Sequence, residues 1–410
     1  TITFSDGEEL TLKNILIGEV WFCSGQSNME MPVKGFRGQP VYGSQPYIVS
    51  ANPKRPLRLY TVKNDWSTTP KEEGIDGQWS EASSEEVADF SATAYFFGNL
   101  LQQSLDVPVG LIHCSWSMSK IEAWMDKETL SHFSEVTLPD TNQDKFEWAA
   151  GTPTLLWNAM VNPWKGFPVK GVIWYQGESD DHRPGMYYKL LNQMIRNWRD
   201  DWNDDELFFV IGQLPMHRWE ADPDFKNWCT IREAQAKTAR TTAGTALAVL
   251  TDCGEFSEIH PKDKKTPAHR FCLAALNGCY QVQFVDGEEG QEGGFSTFNP
   301  EAYEVCWNSG SVDVFVSTGL CLEVKDDAEE ISGFELMSAD GEWHAAKAVL
   351  SDKELWNAGE GTEIISVTGT ADPRGVRYLW TNYTDDIPLR DGENGVPLPP
   401  FIFTKPAYQG

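Results

Sequence analysis

Positive charge is what this 410-residue chain has least of: 33 Lys and Arg stand against 61 Asp and Glu, for a formal net charge of −28. That balance excludes a nucleic-acid binder, because a polyphosphate partner demands a basic surface. It also disfavours anionic membranes and suits a soluble chain acting on a neutral ligand. No apolar run approaches the roughly 20 residues needed to cross a bilayer, so no membrane insertion is expected. The eight cysteines form no CxxC pair, which argues against a zinc knuckle or a thioredoxin-type site. Those inside apolar runs read as small hydrophobes. Internal repeats are absent. So is a secretory signal, yet Thr1 stands where an initiator Met would, and an N-terminal segment is expected to have been removed. An extracellular or periplasmic location is expected.

What is present is an ordinary globular composition, 40% hydrophobic and 23% charged, long enough for one large domain and a smaller one. The stretch 15–31 organises it. Ile15, Leu16, Ile17, Val20, Trp21 and Phe22 read as a buried strand that stops abruptly at Ser24-Gly25-Gln26-Ser27-Asn28. Ser27 then stands at the strand's C-terminal end, where open α/β sheets place their ligand crevice. It is a candidate nucleophile; the plain alternative is an ordinary strand-ending turn. Further buried strands are predicted over 107–114, 169–175, 207–214 and 246–251. Helices are predicted over 84–105, 121–130, 155–161, 228–239 and 267–280, and around Tyr187, Leu191, Met194 and Trp198, which share one face. Five buried strands alternating with helices imply a parallel sheet covered on both faces. The polar clusters after its first, third and fifth strands then meet at one edge.

Residues 32–56, rich in Gly and Pro, read as a loop beside the nucleophile, and so long an irregular segment is more often functional than filler. Residues 65–79 are also loop-like, and 1–12 alternate like an edge strand. After 287 the texture changes. A Gly-rich EGQEGG run leads into short alternating stretches at 312–316, 320–324, 333–337, 345–350, 364–367 and 376–380, the pattern of a small β-sandwich. The Pro-rich tail PLPPFIFTKP is expected to lie extended over another surface.

A serine hydrolase needs a base for the hydroxyl proton, a carboxylate to orient that base, and donors for the oxyanion. Among seven histidines His260 stands apart, placed after the fifth strand among Asp252, Glu255 and Glu258 and followed by Pro261. His113 sits inside an apolar strand and reads as a core residue. His132, His182, His217, His269 and His344 read as solvated, although His182 closely follows the third strand. An α/β-hydrolase elbow carries Gly two residues after its serine; here that position is Met29. This and the order of the residues, serine first with acid and histidine together near the end of the sheet, disfavour that fold. The 17 tryptophans mostly fill cores and mildly favour a glycan partner.

Four blocks, GEVWFCSGQSNMEMPV, GLIHCSWSMSKIEAWM, GVIWYQGESD and DCGEFSEIHPKDK, resemble in order the motif blocks of the sialate O-acetylesterase family. That family is a carbohydrate-esterase branch of the SGNH (GDSL-like) hydrolases. GVRYLWTNYTDDIPLRDGENGVPLPPF resembles its C-terminal signature, so the likeness covers nearly the whole chain. It implies an α/β fold: a flavodoxin-like parallel sheet with flanking helices, plus a small C-terminal β-sandwich. The expected division is an esterase domain over 1–290, with 1–12 the remnant of an N-terminal β domain, a sandwich over 295–375, and a signature segment over 376–410 packing back on the esterase domain. The implied activity removes O-acetyl groups from sugars through an acetyl-serine, with no metal or organic cofactor. Ser27 is then the nucleophile and oxyanion donor through its N–H, and His260 the general base and later acid. An acidic sugar such as sialic acid needs a local basic pocket against the −28 background.

Three departures stand out. The family's Trp-Gly-Gly is Trp116-Ser117-Met118 here, which becomes costly if the backbone needs a positive φ. The usual Asn closing the third block is Asp180, an acceptor-only group when ionised. The usual Asp two residues before the histidine is Glu258. Glu258 is favoured as the orienter of His260 over Glu178, which could instead hold the Ser27 turn, and over Asp252. Gln26 and Asn28 are candidates to line the site, and Gln176 to supply an oxyanion donor. Asn158 is either a substrate contact or a packing residue. Arg232 and Arg270 read as structural ion-pair partners. The alternative to an esterase is a catalytically weakened or inactive glycan-binding protein on the same fold.

Overall fold

The computed structural model describes residues 1–72, 77–218, 222, 226–282, 284–285, 295–319, 321–351 and 361–406. The EGQEGG run lies outside the described residues, as does Leu320 at the head of the expected 320–324 stretch. At the N-terminus β1 (Ile2–Ser5) and β2 (Glu9–Leu12) form an exposed antiparallel hairpin, where one edge strand was expected.

Seven strands build the central sheet: β3 (Glu19–Gly25), β4 (Leu57–Thr61), β5 (Ser80–Glu81), β6 (Val109–Ser115), β7 (Gly171–Tyr175), β8 (Phe208–Gly212) and β9 (Thr245–Ala248). Their spatial order is β5-β4-β6-β3-β7-β8-β9, and every pairing except β4–β5 is parallel. The five strands expected from the apolar runs therefore stand in the order second, first, third, fourth, fifth. β4 and β5 extend the sheet beyond the second. β3 starts later than its apolar run suggests, since Ile15, Leu16 and Ile17 are exposed.

Alternation along these strands sends successive side chains to opposite faces. Trp21, Cys23, Leu111, Ile173 and Val210 pack on one face with Phe97 and Phe271. Phe22, Ile112, Val172, Trp174 and Phe209 pack on the other with Trp198 and Ile231. The covering helices follow in the chain as α1 (Ser27–Glu30), α2 (Gln45–Val49), α3 (Ser84–Asp89), α4 (Ala92–Leu105), α5 (Lys127–Leu130), α6 (Pro184–Trp202), α7 (Asn227–Thr241) and α8 (Lys265–Gly278). Among the described residues no helix is long and apolar enough to cross a membrane.

The single helix expected over 84–105 is two. Ser91 breaks it: its Oγ accepts from Ala94 N at 3.1 Å, capping α4, and donates to Met29 O at 2.6 Å. A serine cap competes with continued helix, and here it fastens α4 to the turn that carries Ser27. The expected 121–130 helix is a 3₁₀ turn, Ile121–Trp124, followed by α5, and the 155–161 segment is π-helical over Trp157–Val161.

Past α8 a two-strand bridge, β10 (Phe284–Val285) with β11 (Phe295–Ser296), leads into the C-terminal strands. These are β12 (Glu301–Trp307), β13 (Ser311–Ser317), β14 (Leu322–Val324), β15 (Phe334–Met337), β16 (Trp343–Ala345), β17 (Lys347–Leu350), β18 (Thr362–Thr368), β19 (Gly375–Tyr378), β20 (Leu389–Asp391) and β21 (Phe401–Thr404). They form two four-stranded antiparallel sheets, β12-β13-β18-β17 and β16-β15-β19-β21, and a β14-β20 pair. Val314, Ile365 and Val367 of one sheet share a core with Phe334, Val376 and Phe401 of the other. Part of the tail expected to lie extended over another surface is the strand β21, paired with β19. Between them the chain reaches back to the central sheet, where Arg232 donates to Thr381 O and Asn382 O, and Asp252 meets Arg390.

Candidate active site

The parallel register fixes where the polar strand ends meet. Gly25, last in β3, is paired with Ser115 of β6 on one side and Tyr175 of β7 on the other. Gly25 has φ +140, and a Cβ there would lie 2.0 Å from Tyr175 O, so no other residue turns this tightly against β7. Gln26 N then donates to Tyr175 O at 3.0 Å, and α1 opens at Ser27. Ser27 is buried, and as the first residue of the helix its N–H has no intrahelical acceptor. Among the described residues that N–H makes no hydrogen bond.

His260 arrives on the loop after β9. Asn28 Nδ2 donates to Ile259 O at 3.1 Å, so the neighbours of Ser27 and His260 are bonded to each other. Among the described residues no hydrogen bond joins Ser27 Oγ to the His260 ring, which bonds through Nδ1 to Gln39 Oε1. The ring is placed from its other side. His260 Nδ1 lies 3.2 Å from Gln39 Oε1 and 3.9 Å from Glu258 Oε1, while Gln39 Nε2 donates to both Glu258 oxygens at 3.2 and 3.3 Å. Glu258 also accepts from His260 N at 3.1 Å. Phe36 sets its ring edge-on to the imidazole at 5.5 Å. Burial and then Lys264 lower the His260 pKa, Glu258 raises it and His217 lowers it further; the net direction is down.

Glu178 does not touch His260. It is buried under the strand ends and accepts from Asn28 Nδ2 at 2.6 Å, while its Oε2 has no partner. Burial raises its pKa to about 7 against the hydrogen bond from Asn28 and the charge of Lys264. Lys264, fully buried, donates to Asn28 Oδ1 at 2.8 Å and Pro261 O at 2.7 Å, and burial lowers its pKa to about 8. Asn28 therefore ties β3, the end of β7 and the His260 loop together, and both N–H bonds of its amide are spent.

Other candidates prove to be braces. Gln26 Oε1 takes Gln176 Nε2, Gly177 N and Ser179 N at 3.2, 3.4 and 3.2 Å. Gln176, expected as an oxyanion donor, spends its amide on Gln26 Oε1, Ser119 O and Asp180 Oδ2. Asn158, weighed as a substrate contact, is buried and donates to Ser67 O at 2.9 Å, holding the 65–71 segment. Asp252 pairs with Arg270 and Arg390 and does not face His260. Arg232, read as an ion-pair partner, bonds backbone carbonyls.

Ser117 gives both its N–H and its Oγ to Glu30 Oε2. Ser119 N bonds to Trp116 O at 3.3 Å, closing a turn whose third residue, Met118, has φ +60 and an exposed side chain. That is a position where Gly is favoured, and Met118 N is unbonded among the described residues. Asp180 Oδ2 accepts from Gln176 Nε2 at 2.6 Å and Ile121 N at 3.1 Å, and burial raises its pKa to about 7.

Gln39 and Lys264 went unrecognised in the sequence. The loop that carries Gln39 was flagged as functional, and the glycines at 35 and 38, with φ of +83 and +81, were its local signal. Lys264 stood inside the fourth block without a role.

A family model described as carbohydrate esterase, sialic acid-specific acetylesterase, matches residues 17–251. The sialate O-acetylesterases of Homo sapiens and Pongo abelii are each 27% identical over 430 residues, covering 96% of this chain and 76% of theirs. The crystal structure of a carbohydrate acetylesterase from Xanthomonas citri is similar with a TM-score of 0.82 and 31% identity, covering 98% of this chain and 84% of that one.

Proposed function

Because the chain belongs to the carbohydrate esterase family of sialic acid-specific acetylesterases, we propose that it removes O-acetyl groups from sugars through an acetyl-serine on Ser27. The single observation that supports this reading is the 3.1 Å bond from Asn28 Nδ2 to Ile259 O, which joins the residue after Ser27 to the residue before His260. Ser27 Oγ attacks the ester carbonyl while His260 Nε2 takes its proton. The oxyanion that forms is met by the unbonded N–H groups of Ser27 and Met118. His260 then returns the proton to the departing sugar hydroxyl. Water, activated by the same imidazole, releases acetate and restores Ser27.

The order second, first, third, fourth, fifth of the main strands supports a flavodoxin-like sheet of the SGNH type, with Ser27 and Glu178 at the switch point between first and third strands. We read residues 1–290 as the esterase domain, 295–375 as a β-sandwich and 376–410 as a segment returning to the esterase domain. An extracellular or periplasmic location suits an O-acetylated glycan substrate. The glycan-binding alternative is not favoured: Ser27, His260 and two unbonded N–H groups are all retained.

The experiment is acetate release from a panel of O-acetylated sugars and glycans, with an acetyl-nitrophenol ester as reporter. Ser27→Ala is expected to abolish both. Equal rates for Ser27→Ala and the parent would remove Ser27 as nucleophile.

A further inference from the structure

The place usually occupied by a carboxylate, beside the Nδ1 of the catalytic imidazole, is occupied here by an amide. Gln39 Oε1 is 3.2 Å from His260 Nδ1, whereas Glu258 Oε1 stands 3.9 Å away. We infer that Gln39 is a positioning residue that relays Glu258 to His260, fixing the imidazole tautomer with Nε2 free to accept the Ser27 proton. The inference rests on the Ser27–His260 reading above.

The orientation of the amide decides the chemistry. Both Glu258 oxygens lie 3.2 and 3.3 Å from Gln39 Nε2, and a carboxylate accepts but does not donate. The NH₂ end must therefore face Glu258, which leaves Oε1 facing the imidazole. A carbonyl oxygen only accepts, so Nδ1 must carry the ring proton and Nε2 the lone pair. Glu258 thus sets the tautomer without touching Nδ1 within hydrogen-bond range.

The backbone is built to hold that amide. Gln39 N bonds to Phe36 O at 2.9 Å, and Phe36 and Gln39 form a bridge across a turn. Gly35 has φ +83, and a Cβ on it would lie 2.3 Å from Gln39 O. The same turn presents Phe36 to the imidazole, so one short loop supplies both the acceptor and the apolar wall. It is anchored by the Pro32–Ser91 bridge, next to the segment that caps α4.

A neutral relay has an electrostatic consequence. The charged and titratable groups that face the ring are Glu258 from its own loop, Lys264 at the entry to α8 and His217 from the segment after β8. Lys264 and His217 oppose protonation and Glu258, held one amide away, favours it. A carboxylate placed directly on Nδ1 would stabilise the imidazolium more strongly, and the base would then be lost at a higher pH.

The test compares Gln39→Met, Gln39→Glu, Glu258→Ala and the Gln39→Met/Glu258→Ala double variant in the full chain. The readouts are kcat/KM against pH on the acetyl-nitrophenol ester and the urea unfolding midpoint. Gln39→Met, close in volume but with no acceptor, is expected to lower kcat/KM roughly 100-fold, the scale of a misdirected general base. Glu258→Ala is expected to do the same, and the double variant to fall no further, because both break one chain of contacts. In Gln39→Glu the new carboxyl meets Glu258 where an NH₂ now donates, at 3.2 and 3.3 Å, so the two must hold one proton between them. That variant is expected to keep part of the rate and to move the acid limb of kcat/KM up by about one pH unit. An unchanged rate and profile in Gln39→Met would overturn the relay. So would a Gln39→Glu variant whose midpoint changes while its acid limb stays in place, since that is a purely structural role. If Ser27→Ala were as active as the parent, the parent reading would fail instead.

Discussion

Asn28 Nδ2 lies 2.6 Å from Glu178 Oε1, one residue along from the candidate nucleophile and 0% exposed. The opposite end of the same amide accepts from Lys264 Nζ at 2.8 Å. A single neutral side chain thus stands between a buried carboxyl and a buried ammonium, bonded to both.

Removing that side chain takes away the amide donor to Glu178 and leaves Lys264 with Pro261 O alone. Breaking a buried polar network costs the full desolvation of what remains. Asn28→Ala is expected to lower stability by about 3 kcal/mol, on the scale of one or two unsatisfied groups. Urea unfolding at neutral pH measures it, and an unchanged midpoint would show that Glu178 and Lys264 do not depend on Asn28.

Glu178 makes stability depend on pH in a definite direction. Its folded pKa, about 7, lies above the ordinary glutamate value of 4.5, so the folded state holds a proton that the unfolded chain releases. The contribution is complete below about 4.5 and is lost as pH rises to about 7, amounting to roughly 3 kcal/mol in all. Glu178→Gln keeps an oxygen for Asn28 and has no proton to lose. It is expected to match the parent at pH 4.5 and to exceed it in unfolding free energy at pH 8. A variant no more stable than the parent at pH 8 would count against the shifted pKa.

The strand that leads to Ser27 and the His260 loop were legible in the sequence because their signals are local: an apolar run ending at Gly25, and a histidine set among acids before a proline. The parallel sheet was legible for the same reason, from five dense apolar runs. β4 was not, because Arg58 interrupts a five-residue strand, and β5 has only two residues and no period. Gln39 could not be assigned a role, since its contact with His260 spans 221 positions and no periodicity connects them. Glu178 and Glu258 could not be separated by spacing either. Only the position of Asn28 against one and Gln39 against the other tells them apart.

Met118 occupies a left-handed backbone position, φ +60, with its side chain 62% exposed. The exposed thioether gains little from packing, while the positive φ costs a non-glycine residue about 1 kcal/mol. Met118→Gly is expected to raise stability by roughly 0–0.6 kcal/mol, since the gain in backbone freedom of the unfolded chain offsets much of the relief. Equilibrium urea unfolding checks the sign: a lower midpoint would mean that the methionine packs more than its exposure implies.

Asp180 is expected to set the alkaline side of the predicted activity. Through the family resemblance it takes the place of an asparagine whose amide would face the oxyanion. Its Oδ2 is engaged by Gln176 and Ile121, and its Oδ1 has no hydrogen-bond partner among the described residues. Burial raises its pKa to about 7, so the carboxyl is neutral below that pH and charged above it. A charged carboxylate beside a forming oxyanion raises the barrier; a neutral one does not. The parent enzyme is therefore expected to lose kcat as pH rises through about 7, although His260 remains deprotonated and competent as a base there. Asp180→Asn can keep both bonds on its single oxygen and put an NH₂ where Oδ1 now stands. It is expected to be roughly 10-fold faster than the parent at pH 8, a modest share of what one oxyanion donor supplies, and to show no fall between pH 7 and 8.5. A variant slower than the parent at pH 8 would mean that Asp180 serves the Ile121 segment and not the oxyanion, because the loss would then follow the bonds it makes and not its charge.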